Sequence, residues 1–148
     1  MIEKIKAIRE KTDASLALIK EALEEAGGDE KKALEILKQK GIAKASKKKD
    51  RELKAGLIDS YVHLGKVGVL IEVLTETDFV AKNEKFHAFV HNLCMQIAST
   101  NPKNIDELLK QEYIKDESQT IKNLLDQTIS TIGENIEIKN FTRYSLGG

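Results

Sequence analysis

The sequence predicts an α+β protein: a three-helix bundle, then a core in which a three-stranded antiparallel sheet packs with helices. Three observations point there. Apolar residues recur every three or four positions up to Leu37, the period of amphipathic helices. From Gly56 that period gives way to runs rich in β-branched residues, and from Phe86 it returns. The boundaries fall at residues 1–41 for the bundle, 42–55 for a basic linker and 56–148 for the core.

In the bundle, Ile2, Ile5 and Ile8, then Leu16, Ile19, Ala22 and Leu23, then Ala33, Ile36 and Leu37 mark three short helices. Thr12 and Asp13 punctuate the entry to the second, Gly27-Gly28-Asp29 separates the second from the third, and Gly41 supplies a left-handed residue expected to end the third. Leu57 to Leu64 and Val67 to Leu74 read as a hairpin that turns at Leu64-Gly65-Lys66. In its second strand Val67, Val69, Ile71 and Val73 alternate with Gly68, Leu70, Glu72 and Leu74. Both faces are apolar near the middle, so both are expected to be covered, by helices or by another chain. Phe86, Phe89, Val90, Leu93 and Ile97 form one helical stripe, ending before Asn101-Pro102 because proline disfavours helix in the residue preceding it. Asn104 with Glu107, and Asp116 with Gln119, have capping-box spacing and are expected to open a short helix and a longer one. The longer helix carries Ile121, Leu124, Leu125 and Ile129, and after Gly133 the stretch Ile136 to Leu146 alternates like a third strand.

At 148 residues the chain is one ordinary domain or a very small domain joined to a second, and its 41% hydrophobic and 32% charged residues suit a soluble globular protein. Lys and Arg total 24 and Asp and Glu total 24, so no global field draws it to nucleic acid or to an anionic membrane. The local exception is residues 42–54, where Lys44, Lys47, Lys48, Lys49, Arg51 and Lys54 outweigh Asp50 and Glu52. Such a run suits phosphate contact, or a solvated linker or helix face, and no aromatic or base-reading motif accompanies it. No apolar run approaches the roughly 18 residues that cross a bilayer, and no apolar signal region follows the charged start. The expectation is a cytoplasmic protein with no membrane contact and no direct nucleic-acid contact. A single cysteine, Cys94, forbids an intrachain disulfide and agrees with a reducing compartment.

Chemistry-bearing patterns are few. His87, His91 and Cys94 share one side of a helix, but position 88 is Ala rather than the Glu of the helical metalloprotease pattern, and a zinc site would need a further ligand such as His63. Neither a phosphate-binding glycine loop nor a nucleophile motif is present, so no catalytic residue, metal or cofactor is assigned. The most unusual segment is Thr75-Glu76-Thr77-Asp78-Phe79-Val80-Ala81-Lys82-Asn83-Glu84, at a strand-to-helix junction. Two readings of it stay open. Thr77 or Asp78 suits an N-cap and Phe79 falls on the wheel sector of Phe86 and Val90, which makes it core; alternatively Asp78 and Phe79 stand exposed as a carboxylate beside an aromatic anchor.

The stretch Glu72 to Lys82, with Thr77-Asp78-Phe79-Val80 at its centre, resembles the core signature of the elongation factor Ts family. Ile8-Arg9-Glu10-Lys11-Thr12-Asp13-Ala14-Ser15-Leu16 with Lys20-Glu21-Ala22-Leu23, and Ile132-Gly133-Glu134-Asn135-Ile136, resemble two further signatures of that family, in order and across the whole chain. The resemblance implies a ubiquitin-associated-like bundle, a basic connector and one core subdomain, shortened between Asn101 and Ile121. It implies a guanine nucleotide exchange factor for elongation factor Tu, with Arg9, Leu16 and Lys20 holding the partner's nucleotide domain. Thr77, Asp78, Phe79 and Val80 would meet the partner's magnesium and phosphate side, with Phe79 as a wedge. A one-copy core further implies a homodimer in a two-plus-two complex, where Thr142 replaces a cysteine that bridges the subunits in some relatives. The competing reading, which rests on residues 1–54 alone, is a ubiquitin-associated-type adaptor or a nucleic-acid-binding module.

Overall fold

Seven apolar side chains of the N-terminal helices, Ile5, Ile8, Ile19, Ala22, Leu23, Ala33 and Leu37, close on one another to form the smaller of two cores. The structure, a computed structural model, describes residues 2–12, 14–48 and 51–148, and the side chains of these except at 44 and 46–48. Asp13, Lys49 and Asp50 therefore lie outside the described residues, as do the side chains of Lys44, Lys47 and Lys48. The bundle comprises α1 (Ile2–Thr12), α2 (Leu16–Glu25) and α3 (Glu30–Lys48). Ser15 is the N-cap of α2, its hydroxyl accepting from the Leu18 amide at 3.3 Å; Thr12 instead closes α1 by donating to the Ile8 carbonyl at 2.8 Å. Lys40 on α3 reaches Glu21 at 2.8 Å and Glu25 at 3.3 Å on α2; its hydrogen bond to Glu21 is the main reason its pKa is raised.

Gly41 does not end the third helix. α3 runs seven residues further to Lys48, so much of the stretch expected to be a linker is helical. What Gly41 provides is a close approach: a Cβ there would stand 3.7 Å from Gln127 Cα and 3.9 Å from the Asp126 carbonyl oxygen, both on α7 (Ile121–Ile132). The missing side chain lets two helices cross at backbone distance.

The larger core lies between a sheet and helices. β1 (Ala55–His63), β2 (Val67–Thr75) and β5 (Ile136–Ser145) form an antiparallel sheet in the order β1-β2-β5. The hairpin turns with Leu64 at φ 53° and Gly65 at φ 68°, two successive left-handed residues that match the twist of the strands. β5 is irregular: Glu72 faces Asn140 while Val73 faces Ile138, so one extra residue of β5 sits between those pairs. The bulge changes which parity points inward, so Ile136 and Ile138 before it and Phe141 after it all pack on the same core. α5 (Glu84–Thr100) lays Phe86, Phe89, Val90, Leu93, Cys94 and Ile97 on that face of the sheet, opposite Val69, Ile71 and Val73. Burial, and to a lesser degree Asp59, push the Cys94 thiol up to about 12.

α6 (Ile105–Lys110) opens as expected on Asn104, which accepts from the Glu107 amide at 2.8 Å; the reciprocal arm of Glu107 lands on the Lys103 amide. The pairing of Asp116 with Gln119 does not open a helix. It lies in β4 (Asp116–Thr120), which pairs with the two-residue β3 (Glu112–Tyr113), and α7 starts on the N-cap Thr120. Asp116 accepts there from the Ser118 hydroxyl, the main reason its pKa is lowered. Buried Gln96 holds this small ribbon to α5, donating to the Gln111 side chain and Glu112 carbonyl and accepting from the Ile114 amide at 2.9 Å.

Among the described residues, the other face of the main sheet stays open around its middle. Against the expectation that both faces are covered, Ile58 and Val62 on β1, Leu70 on β2 and Tyr144 on β5 are exposed large hydrophobics on the side away from α5.

The close approach at Gly41 gives a test of how the bundle is held. Gly41→Ala should be tolerated, because its methyl would meet α7 at ordinary contact distance. Gly41→Leu should cost about 1–3 kcal/mol as overpacking forces α3 and α7 apart, seen as a lowered urea midpoint.

Candidate functional site at the β2–α4 corner

Where β2 leaves the sheet, the chain turns through Glu76 and Thr77 into a single helical turn, α4 (Asp78–Ala81). Thr77 is the N-cap, with extended backbone and a hydroxyl that accepts from the Val80 amide at 3.4 Å. Lys82 ends the turn, and Asn83 starts α5 by accepting from the amides of Lys85 and Phe86. That break decides between the two readings of Phe79. A helical wheel extended back from Phe86 assumes one continuous helix, but the chain is reset at Asn83, and Phe79 is 89% exposed.

Of the four residues proposed at this corner, Asp78 and Phe79 face solvent. Val80 does not: it is buried in the main core, so it anchors the turn rather than presenting itself. Thr77 is exposed, yet its hydroxyl and amide are both engaged within the chain. The three bundle residues Arg9, Leu16 and Lys20 are all exposed, Leu16 at the first position of α2.

The frame around the corner rests on Glu76, Glu134 and Asn135, which lie in the motifs quoted from the sequence but had no role assigned there. After α7 ends at Gly133 in the left-handed conformation (φ 88°), Glu134 reaches back to the strand end. Its carboxylate accepts from the Thr75 hydroxyl at 3.1 Å, the Thr77 amide at 3.0 Å and the Thr77 hydroxyl at 2.7 Å. In return the Glu76 carboxylate accepts from the amide of Asn135, and Arg51 lies 3.7 Å from the same Glu76 oxygen. Two acidic side chains thus cross between the Thr75–Thr77 and Glu134–Asn135 segments. On the other side of the turn the His87 ring donates to the Ala81 carbonyl at 2.7 Å, which satisfies a terminal acceptor of α4. The sequence signal was the Ile132–Ile136 motif itself, whose carboxylate follows a helix-ending glycine.

The other chemistry-bearing candidates are dispersed. Cys94 is fully buried, His87 is committed to Ala81, and the His91 ring donates to Asp59 at 3.3 Å while meeting Tyr61 edge-on. Among the described residues no three His, Cys, Asp or Glu side chains gather as metal ligands. No described helix is long and apolar enough to cross a membrane.

What the corner offers is contact: a ring and a carboxylate held outward on a fixed frame, in an α+β chain whose second module carries them on its sheet. This is the form of a protein-recognition surface, with an aromatic anchor beside a charged group. The comparisons with known proteins agree on the family of the chain. A family model described as Elongation factor TS matches residues 76–148, which includes both the corner and the Glu134 segment that braces it. The chain is 40% identical to the elongation factor Ts of Oleidesulfovibrio alaskensis, an alignment covering 97% of this chain and 96% of the relative. It is 39% identical to that of a Thermoanaerobacter species, covering 97% and 93%, and 39% identical to that of Geobacter metallireducens, covering 97% and 88%. The chain belongs to the elongation factor Ts family. These alignments run over 189 positions against the 148 residues of this chain, so the relatives carry internal residues that it lacks.

The exposure of Phe79 separates presentation from packing. Phe79→Ala should leave stability within about 0.5 kcal/mol of the parent, whereas Phe86→Ala, deep in the core, should cost about 3–5 kcal/mol by chemical denaturation.

Proposed function

We propose that this chain is a guanine nucleotide exchange factor that binds elongation factor Tu in its GDP form and promotes GDP release. It would act by binding, in the cytoplasm, with no bond-making of its own. The observation that carries this reading is Phe79, an aromatic ring left 89% exposed on a turn braced by Glu134, in a chain of the elongation factor Ts family. Exposing such a ring forgoes the burial that stabilises a fold, roughly 1.5–3 kcal/mol for a Phe side chain, so its natural destination is a partner.

The thermodynamics need only differential binding. If the factor holds nucleotide-free partner more tightly than GDP-bound partner, reciprocity weakens GDP by the same factor. Arg9, Leu16 and Lys20 on the exposed side of the bundle would hold the partner's nucleotide domain, while Phe79 wedges between its packed elements and Asp78 disturbs its magnesium site. Dense interiors answer an inserted ring by discrete repacking, and magnesium tolerates little departure from octahedral geometry. Release then follows from lost coordination.

The uncovered sheet face supports self-association. Ile58, Val62, Leu70 and Tyr144 form an apolar surface of the kind that marks a protein interface, and Thr142 lies on it opposite Leu70. We infer a homodimer, and a two-plus-two complex with the partner. The chain has one cysteine, Cys94, and it is buried, so the pairing would be non-covalent.

In stopped-flow release of labelled GDP from elongation factor Tu, added protein should accelerate release. Phe79→Ala and Asp78→Ala should each lower the saturating rate by about tenfold, a rise of roughly 1.4 kcal/mol in the barrier to release. Parent rates in both variants would refute the assigned roles. Light scattering at micromolar concentration should give twice the 16.6 kDa chain mass, and Leu70→Lys should return the monomer; a monomeric parent would remove the dimer.

A further inference from the structure

We propose that Glu134 is a positioning residue for exchange: its carboxylate, braced by the return bond from Asn135 to Glu76, fixes the β2–α4 corner so that Phe79 is presented in one orientation. This rests on the exchange reading above and adds to it the group that makes the wedge rigid. A one-turn helix has little stability of its own, since forming the first turn fixes several residues for one hydrogen bond. α4 spans four residues, and Phe79, its second, has no burial to hold it. The backbone beneath it must be held from outside. Three of the restraints converge on Glu134, at 3.1, 3.0 and 2.7 Å from Thr75 and Thr77, and two of these fall on the residue that caps α4. Bonds to an ionised acceptor are among the stronger ones available at a part-exposed site. Burial of Val80 and Ala81, with the His87 ring on the Ala81 carbonyl, anchors the C-terminal end of the turn, so removing the carboxylate frees its N-terminal end, where Phe79 sits.

Such a role predicts a split in the kinetics. A loosened wedge still lets the bundle bind, so the half-saturating concentration should stay near that of the parent while the saturating rate falls. The experiment is a double-mutant cycle on full-length protein, with labelled GDP release from elongation factor Tu as the readout. Glu134→Ala should lower the saturating rate about tenfold when residue 79 is Phe, and less than about twofold when it is Ala. Glu134→Gln should recover to within about threefold of the parent, because its amide oxygen still accepts from Thr75 and from the Thr77 amide. Should Glu134→Ala fail to fold by circular dichroism, Glu76→Gln, which weakens the return bond from Asn135, takes its place in the same cycle with a drop of about threefold.

If Glu134→Ala or Glu76→Gln keeps the parent rate, or costs the same factor with Ala at 79 as with Phe, the positioning role is overturned and the exchange reading stands. If Phe79→Ala alone keeps the parent rate, the exchange role of Phe79 fails, and the positioning role with it.

Discussion

A single carboxylate ties together parts of this chain that lie almost sixty residues apart. Glu134 accepts from the end of β2 and from the cap of α4, and the helix that delivers it, α7, is the one against which α3 of the bundle crosses at Gly41. α7 therefore stands between the two surfaces, with the bundle on its flank and the corner at its C-terminal end. Its own placement depends on Ile121, Leu125 and Ile129 in the main core and on Gly133, whose positive φ turns the chain back toward the strand. A residue with a Cβ at 133 would strain that turn and move the carboxylate away from the corner.

The second constraint is the sheet's two-sidedness. Three strands with one face packed on α5 can hold the corner, but the opposite face keeps Ile58, Val62, Leu70 and Tyr144 in solvent. The bulge in β5 keeps Ile136, Ile138 and Phe141 facing the core, with Arg143 following them inward to the Ala98 carbonyl of α5, and it also sends Thr142 and Tyr144 outward. The cost of covering one face well is an apolar surface on the other, which the proposed homodimer would bury.

Much of this was legible in the residues. The hairpin, the long helix and the third strand follow from periodicity and turn chemistry, because the same apolar side chains that set the pattern form the core. What was missed has two causes, a neighbour far away in sequence or a local turn that shares its spacing with a helix start. Gly41 looked like a helix end because its role, close contact with α7, involves residues around position 127. Asp116 and Gln119 looked like a helix start because capping-box spacing is also the spacing of a local turn stabilised by Ser118. Phe79 fitted the core stripe only while the helix was taken as continuous, and the Asn83 cap that breaks it is itself ordinary in sequence. Glu134 gave no sign of its partners, since no local rule pairs a residue after one helix with the cap of another fifty-seven positions earlier.

The most direct test of the proposed lever is a structure of this chain bound to nucleotide-free elongation factor Tu. The mechanism requires the Phe79 ring to lie inside the partner beside its magnesium and phosphate site, with Thr77 still bonded to Glu134. A complex in which that ring stays in solvent, or in which the corner unwinds to reach the partner, would contradict it.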